Sequence, residues 1–211
     1  MSKKVLQGKK IAVLVESEFI PEEIKQYQDL FGALGAEVDL MSDLWGQSSI
    51  TFVSDVSKPD EKPETLEVNI DFKNINLDDY AAVIMAANYP SVRLRWFEPP
   101  AGQSRSPDMV RQAPAVRFFT GAMRDKRLVK AAPCHGLWIL TPVPELLAGR
   151  KITCNPVVLA DIINAGATYV PAALDEAWDR QVVVDDDLIT TPSYHAGDLM
   201  VEAVKDAILA R

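Results

Sequence analysis

The sequence predicts an α/β fold with a mostly parallel central sheet, and three observations support this prediction. Short continuous apolar runs, typical of strands covered on both faces, alternate with segments of helical spacing. Glycines follow several of the helical segments, where helices commonly end. At 131–140 a small-residue strand passes through Cys-His-Gly into an apolar stretch. Strands separated by helices favour right-handed crossovers and therefore parallel pairing.

The N-terminal half predicts a strand, a helix, a strand, a hairpin and a further strand. KIAVLV at 10–15 is a continuous apolar run, and 21–34 repeats apolar side chains at helical spacing behind a proline that suits a first turn. AEVDLMS at 36–42 follows a glycine that ends this helix. Two strand-like segments within 43–78 flank the polar stretch KPDEKPE, which predicts a hairpin, and AAVIMAA at 81–87 predicts a buried strand.

The C-terminal half continues the alternation. KAAP at 130–133 predicts the strand that leads into Cys-His-Gly, and 146–154 ends a helix and starts a strand. The apolar spacing of 157–166 predicts a helix that ends at a glycine. The segment 181–191 predicts closing strands, and 198–211 predicts an amphipathic helix.

Residues 1–211 are expected to form a single domain, because no repeat or linker divides them and the length suits one α/β core. The segment 96–116 interrupts the pattern with four prolines and a Gly-Gln-Ser-Arg-Ser tract. It predicts a long loop inserted into the domain. Such a loop is either functional or a tolerated surface insertion, and the sequence leaves both alternatives open.

Composition limits the classes of partner. The net charge of −8 argues against nucleic acid or an anionic membrane. No apolar run is long enough to span a bilayer, and the basic start of the chain lacks the apolar region of a secretory leader. Two cysteines in apolar settings suggest a reducing compartment, so we expect a cytoplasmic protein. Two cysteines and two histidines offer no zinc spacing, and we expect no metal or cofactor.

The Cys-His-Gly triplet predicts a nucleophile elbow with Cys134 at its tip. In such a turn one side chain is forced into a strained position at the carboxyl edge of the sheet, and Gly136 allows the turn to close. Free N–H groups at the start of the following helix favour a thiolate, which is the reactive form of cysteine. The alternative is a small buried cysteine of the core.

The chain resembles the ThiJ/PfpI family of the class I glutamine amidotransferase-like superfamily, which includes deglycase, protease-like and glyoxalase III proteins. The segments ESEFIPEEI, AAPCHGLWIL, GRKITCNPVVLADIINAGATYV and DDDLITTPSYHAGDLMVEAV carry the resemblance, which covers nearly the whole chain apart from 96–116. The resemblance implies a flavodoxin-like three-layer sandwich with Cys134 as nucleophile. It also implies a homodimer or a higher homo-oligomer.

The resemblance assigns the family's first-strand glutamate to Glu18. The loop after the first strand lies at the same sheet edge as the elbow, so the carboxyl is expected beside the sulfur, where it carries a proton. His135 is implied as a base, and its backbone N–H as half of an oxyanion hole. Family members place an acidic partner near this His, and the sequence has no clear match for it. This weakens the case for a protease-like triad.

Four further residues are implied as substrate-binding. Ala87 and Asn88 stand where the family has a Gly-Gly turn that supplies the second oxyanion N–H. Asn is the non-glycine residue that best tolerates left-handed geometry, so the turn is expected to survive. Tyr194 and His195 lie in the loop that approaches the nucleophile in this family. A lone loop histidine is often a surface residue, and that alternative stays open.

Two classes of function follow. The first is a cofactor-free cysteine enzyme for small reactive carbonyls, of glyoxalase III or deglycase type, that converts methylglyoxal to lactate. A PfpI-like hydrolase or hydratase would use the same thiol. The second class is a non-catalytic stress protein, either a redox sensor or a chaperone-like holdase.

Overall fold

Seven strands form a mostly parallel sheet at the centre of the computed structural model, which describes residues 4–56 and 60–211. The described residues form eleven strands, of which β3 pairs with β4 and β8 with β9 outside the central sheet. They are β1 (Lys10–Leu14), β2 (Glu37–Ser42), β3 (Ile50–Val53), β4 (Thr65–Val68), β5 (Ile70–Asp71), β6 (Ala82–Met85), β7 (Val129–Pro133), β8 (Lys151–Ile152), β9 (Thr168–Tyr169), β10 (Val183–Asp185) and β11 (Leu188–Thr191). The central sheet has the order β10-β11-β7-β6-β1-β2-β5, in which only the β10–β11 pair is antiparallel. The predicted parallel α/β fold is confirmed.

Five α-helices and several short 3-10 helices cover the sheet. The α-helices are α1 (Pro21–Ala33), α2 (Pro90–Arg93), α3 (Pro114–Arg124), α4 (Pro156–Asn164) and α5 (Gly197–Leu209). Helices α1 and α5 pack against each other, whereas α2, α3 and α4 all contact the 3-10 helix Gly136–Leu140. No helix in the described ranges is long and apolar enough to cross a bilayer.

Most of the predicted helices and strands begin and end within one to three residues of their expected bounds. The hairpin is β3 paired antiparallel with β4, and Lys58 and Pro59 of its predicted turn lie outside the described residues. The helix expected directly after the elbow is only the 3-10 helix Gly136–Leu140. The segment 96–116 is irregular in its first part, but Pro107–Gln112 is a 3-10 helix and α3 begins at Pro114.

A buried ion pair joins two neighbouring strands of the sheet. Lys130 on β7 and Asp187 in the β10–β11 turn are both fully buried, and Lys130 Nζ donates to Asp187 Oδ2 at 2.5 Å. Arg150 Nη2 donates to the other carboxylate oxygen at 2.7 Å. Burial alone would raise the pKa of Asp187, but the hydrogen bonds from Lys130 and Arg150 outweigh it and lower that pKa to about 2.

The Asp187→Asn substitution is expected to destabilise the protein strongly. It would leave the Lys130 ammonium buried without its counter-charge, which typically costs about 3 kcal/mol or more. The free energy of unfolding in urea measures this loss. Asp186→Asn is the control, because Asp186 is the adjacent, largely exposed residue and should change stability little. Equal stability of the two variants would contradict a structural role for the buried pair.

Candidate active site

Cys134 forms the tip of the predicted elbow between β7 and the 3-10 helix Gly136–Leu140. Its φ is 55°, in the left-handed region that non-glycine residues rarely adopt. The Cys134 N–H donates to Thr191 O at 2.8 Å, and its carbonyl accepts from Asn155 N at 3.2 Å. A Cβ on Gly136 would lie 3.0 Å from the Met85 carbonyl oxygen, so a glycine is needed for this close approach. The nucleophile-elbow geometry is therefore present.

Four groups surround the sulfur of Cys134, a residue that is 6% exposed. The backbone N–H groups of Asn88 and His135 and the side-chain amide of Asn155 lie close enough to the sulfur to act against the rise of the thiol pKa. The His135 Nδ1 atom lies 3.2 Å from Sγ. Two convergent backbone N–H groups beside a nucleophile are the arrangement that stabilises an oxyanion on the attacked carbon.

The Ala87–Asn88 turn keeps the shape expected from the family's Gly-Gly turn. Asn88 has a φ of 65°, so it adopts the left-handed conformation that the sequence analysis allowed for asparagine. Its side chain does not serve as a free substrate donor, because Nδ2 donates to Glu18 O at 2.9 Å. This bond ties the loop after β6 to the loop after β1.

Glu18 does not occupy the position predicted for it. Its side chain is 41% exposed, and its Oε2 accepts a hydrogen bond from Arg93 Nε at 3.0 Å. Among the described residues, no hydrogen bond joins Glu18 to Cys134. Its φ of 66° places Glu18 in the turn itself, so the backbone rather than the carboxylate contributes to the site.

The carboxyl group beside the thiol belongs to Glu23, in the first turn of α1. Glu23 is fully buried; Tyr27 Oη donates to its Oε1 at 2.7 Å, and Ala87 N lies 3.0 Å from each carboxylate oxygen. Burial raises the pKa of Glu23 from 4.5 to about 7, although both donors act in the opposite direction. Its charge also raises the pKa of the Cys134 thiol.

The sequence analysis missed Glu23 although the helical spacing contains it. Glu23, Tyr27 and Phe31 recur every fourth residue and are all buried on one stripe of α1. Glu23 lies just behind the proline of the predicted first turn, and the sequence analysis gave it no role in the site. A glutamate on the apolar stripe of a predicted helix, close to a predicted nucleophile, would have been the better candidate.

The expectation of a low-pKa thiolate is wrong in this structure. Burial raises the pKa of Cys134 to about 11, and the neighbouring Glu23 adds to the shift, against three opposing hydrogen bonds. The following 3-10 helix spans only five residues, so it offers little of the helix dipole that we invoked. Cys154 is buried as well, and its pKa is raised to about 12.

The His135 ring packs with two aromatic side chains, which also contact each other. Its centroid is 5.7 Å from that of Tyr89 and 5.1 Å from that of Trp138, with both pairs stacked. Burial lowers the pKa of His135, which keeps the imidazole neutral. Within the described part of the chain, no carboxylate hydrogen-bonds this ring, so a Cys-His-acid triad is not assembled by these residues.

The two residues expected from the C-terminal loop lie in different environments. Tyr194 is half-buried. Burial is the main cause that raises its pKa, and the charges of Glu22, Cys134 and Glu23 raise it further. Tyr194 therefore lies near the thiol. The His195 side chain is 55% exposed, and its Nδ1 lies 3.2 Å from Asp179 Oδ2. The alternative of a surface histidine therefore holds for His195. Asn155, which was not predicted, contacts the sulfur instead.

Glu23→Gln is expected to change how stability depends on pH. The pKa of Glu23 is higher in the folded than in the unfolded chain, so stability falls as pH rises from 4.5 through about 7. The full loss above this range is about 3 kcal/mol. Urea unfolding of both proteins across this range should show a slope for the wild type that Glu23→Gln lacks. Parallel curves would contradict the raised pKa.

The Cys134 thiol is expected to ionise at a pH well above the ordinary pKa of a free cysteine, which is about 8.5. Thiolate absorbance of the Cys154→Ser protein measures this directly, because it retains only Cys134. Glu23→Gln in the same background should move the titration to lower pH by removing a neighbouring negative charge. A midpoint at or below the free-thiol value would overturn this description of the site.

Comparison with known proteins identifies the family. The DJ-1/PfpI family model matches residues 100–206, which include Cys134, His135 and Asn155. Protein/nucleic acid deglycase 2 of Escherichia coli is 28% identical over 184 residues, which are 87% of this chain and 88% of that protein. A deglycase of Thermococcus kodakarensis is 29% identical over 135 residues, 64% of this chain and 65% of that protein.

Solved structures of the same family share the fold. A two-domain protein from Anabaena variabilis, with DJ-1/ThiJ/PfpI-like and ferritin-like domains, has a TM-score of 0.71 at 22% identity, and the match covers 94% of this chain and 47% of that one. DJ-1beta of Drosophila melanogaster has a TM-score of 0.66 at 15% identity, over 97% of this chain and 92% of that one. These structures confirm the flavodoxin-like sandwich that the resemblance implied. Because the family model matches just over half of the sequence, the chain belongs to the DJ-1/PfpI family.

Proposed function

We propose that this chain is a cofactor-free enzyme for small reactive carbonyls, with Cys134 as nucleophile and Glu23 as the group that carries the proton. The observation that carries the proposal is the buried Glu23 carboxyl beside the thiol, with a pKa of about 7. A carboxyl with this pKa accepts and returns a proton at neutral pH, which is the requirement for general acid–base catalysis. Relatives named as deglycases support the same class of substrate.

The chemistry begins with addition of Cys134 to the aldehyde carbon of methylglyoxal. The sulfur–carbon bond forms while the thiol proton passes to Glu23 and from there to the former carbonyl oxygen, which gives a hemithioacetal. The N–H groups of Asn88 and His135 hold the charge that develops on this oxygen. The thiol needs no standing negative charge, because it loses its proton only when the carbon accepts its electron pair.

An isomerisation and a hydrolysis complete the reaction. Glu23 removes the proton from the hemithioacetal carbon and returns it to the adjacent ketone carbon through an enediol, which leaves a lactoyl thioester on Cys134. Water then cleaves the thioester to lactate and the free thiol. The former aldehyde carbon is oxidised and the adjacent former ketone carbon is reduced, so the reaction needs no external oxidant or reductant. Early adducts of the same aldehyde with amines would release their carbonyl group to the same thiol.

Two of the alternative functions, a redox sensor and a PfpI-like hydrolase, fit the site less well. Redox-sensing cysteines are accessible and have a low pKa, whereas Cys134 is buried and its pKa is raised. A PfpI-like hydrolase would need a base oriented by an acid, and the neutral His135 ring stacks on Tyr89 and Trp138 instead. A transferable proton on Glu23 is the feature that neither alternative uses.

Glu23→Gln is expected to reduce methylglyoxal turnover by roughly a hundredfold or more, the usual loss when general acid–base catalysis is removed. The amide keeps an oxygen that accepts from Tyr27 and Ala87 but carries no exchangeable carboxyl proton. Lactate formation without glutathione measures the rate, and carbonyl release from an early amine adduct measures the deglycase reaction. Glu18→Gln is the matched control and should retain most activity, because Glu18 pairs with Arg93. Wild-type turnover in Glu23→Gln would refute the assignment.

A further inference from the structure

The Glu23 carboxyl is held by two hydrogen-bond donors that come from different parts of the fold. Tyr27 Oη, one turn further along α1, donates to Oε1 at 2.7 Å. Ala87 N, in the loop after β6, lies 3.0 Å from both Oε1 and Oε2. Because Ala87 directly precedes Asn88, the carboxyl ties helix α1 to the turn that supplies an oxyanion N–H.

The Tyr27 hydroxyl can act only as a donor to this carboxyl. Tyr27 is fully buried, and its ring packs against that of Phe31, with the centroids 6.4 Å apart. Burial raises the pKa of Tyr27 well above its ordinary value, and the charge of Glu23 raises it further. The phenol therefore keeps its proton throughout the pH range in which Glu23 titrates.

The two oxygens of the Glu23 carboxyl are not equivalent. A carboxylate oxygen has two lone-pair sites, and those of Oε1 accept from Tyr27 Oη and Ala87 N. Among the described residues, Oε2 accepts only from Ala87 N, which it shares with Oε1. A proton on Oε1 would displace one of the two donors, whereas Oε2 has a lone pair to spare. The hydrogen bonds thus favour Oε2 as the oxygen that carries the proton.

The other titratable groups around Glu23 add no buried charge at neutral pH. Cys134 and His135 lie on the elbow, where burial raises the pKa of the thiol and lowers that of the imidazole. Tyr194 lies just before α5, and burial raises its pKa as well. Glu22, the neighbouring acid on α1, is exposed to solvent. Each of the buried groups is therefore neutral.

Neutral donors therefore oppose the effect of burial on Glu23. Burial is the main cause that raises the pKa of this carboxyl to about 7, and the hydrogen bonds from Tyr27 and Ala87 lower it. Ala87 donates through its backbone, whereas a side chain supplies the Tyr27 hydroxyl. Without this hydroxyl the carboxyl would stay protonated to a higher pH, and a protonated carboxyl does not accept the thiol proton.

We propose that Tyr27 is a positioning residue of the thiol site: its hydroxyl fixes Glu23 through Oε1 and leaves Oε2 to exchange the proton. The inference rests on the function proposed above for Glu23. Tyr27 acts on the reaction through Glu23, and it lowers the pH at which the site accepts a proton from the thiol.

The pH profile of methylglyoxal turnover in Tyr27→Phe tests this role. Loss of a hydrogen bond to a charged carboxylate should move the lower limb of kcat/KM upward by about one pH unit. The rate below this limb should fall about tenfold, with KM little changed, and it should recover at higher pH because the carboxyl is still present. A rate that falls equally at every pH would show a merely structural role and overturn the proposal.

Tyr80→Phe is the matched control for this profile. Tyr80 Oη also donates to a carboxylate oxygen, Asp39 Oδ2, at 2.8 Å. Tyr80 precedes β6 at the amino end of the parallel sheet, whereas Cys134 follows β7 at the carboxyl end. The kinetic limb of Tyr80→Phe should therefore coincide with that of the wild type. A shift as large as that of Tyr27→Phe would contradict a role specific to Tyr27.

Carbon-13 NMR of the glutamate carboxyls measures the Glu23 pKa without any turnover, and Glu23→Gln identifies its resonance. The midpoint should rise in Tyr27→Phe by the same amount as the kinetic limb. If the wild type does not turn over methylglyoxal, a raised midpoint still supports the action of Tyr27 on Glu23, and only the carbonyl function fails. An unmoved midpoint would overturn the proposal.

A second variant keeps the test decisive if Tyr27→Phe folds poorly. Replacement of Tyr27 by 3-fluorotyrosine keeps the hydroxyl and makes it a stronger donor, because fluorine withdraws electrons from the ring. The NMR midpoint and the kinetic limb should both move to lower pH, opposite to their movement in Tyr27→Phe. General damage to the fold does not produce shifts in opposite directions. A shift to higher pH, or no shift, would count against the proposal.

Discussion

The left-handed backbone conformation of Cys134 is the constraint on which the site depends. A φ of 55° is unfavourable for a residue with a Cβ, so the surrounding structure must hold it. Thr191 O and Asn155 N hold the peptide groups of Cys134 from two sides, and Gly136 lets the chain approach the end of β6. In this conformation the sulfur lies beside the N–H groups of both Asn88 and His135.

The second constraint is electrostatic and follows from burying an acid and a thiol side by side. The charge of Glu23 raises the pKa of Cys134, and both groups lose solvation in the same interior. The pair therefore favours the protonated thiol at neutral pH. An electrophilic carbon changes this balance, because the electron pair of the sulfur enters a covalent bond and its proton has an acceptor nearby. Such a site remains unreactive until its substrate is bound.

The apolar runs predicted the parallel strands well, because strands buried on both faces carry few polar residues. The elbow was predictable from Cys-His-Gly, and the left-handed Asn88 from the tolerance of asparagine. Glu23 was missed because the resemblance assigned the family's glutamate to Glu18, whereas the side-chain direction on α1 decides which carboxyl is buried. Asn155 was beyond reach, since it lies 21 residues after Cys134 and only the fold brings its side chain to the sulfur.

Glu18 has a structural role that explains why its carboxylate lies outside the thiol site. Its carbonyl oxygen accepts from Asn88 Nδ2, while its carboxylate accepts from Arg93 Nε. The bond to Asn88 fixes the left-handed turn beside the thiol, and the bond to Arg93 joins the loop after β1 to α2. Glu18 therefore holds the two loops that frame the site through its backbone and a surface ion pair, which leaves the buried carboxyl position to Glu23.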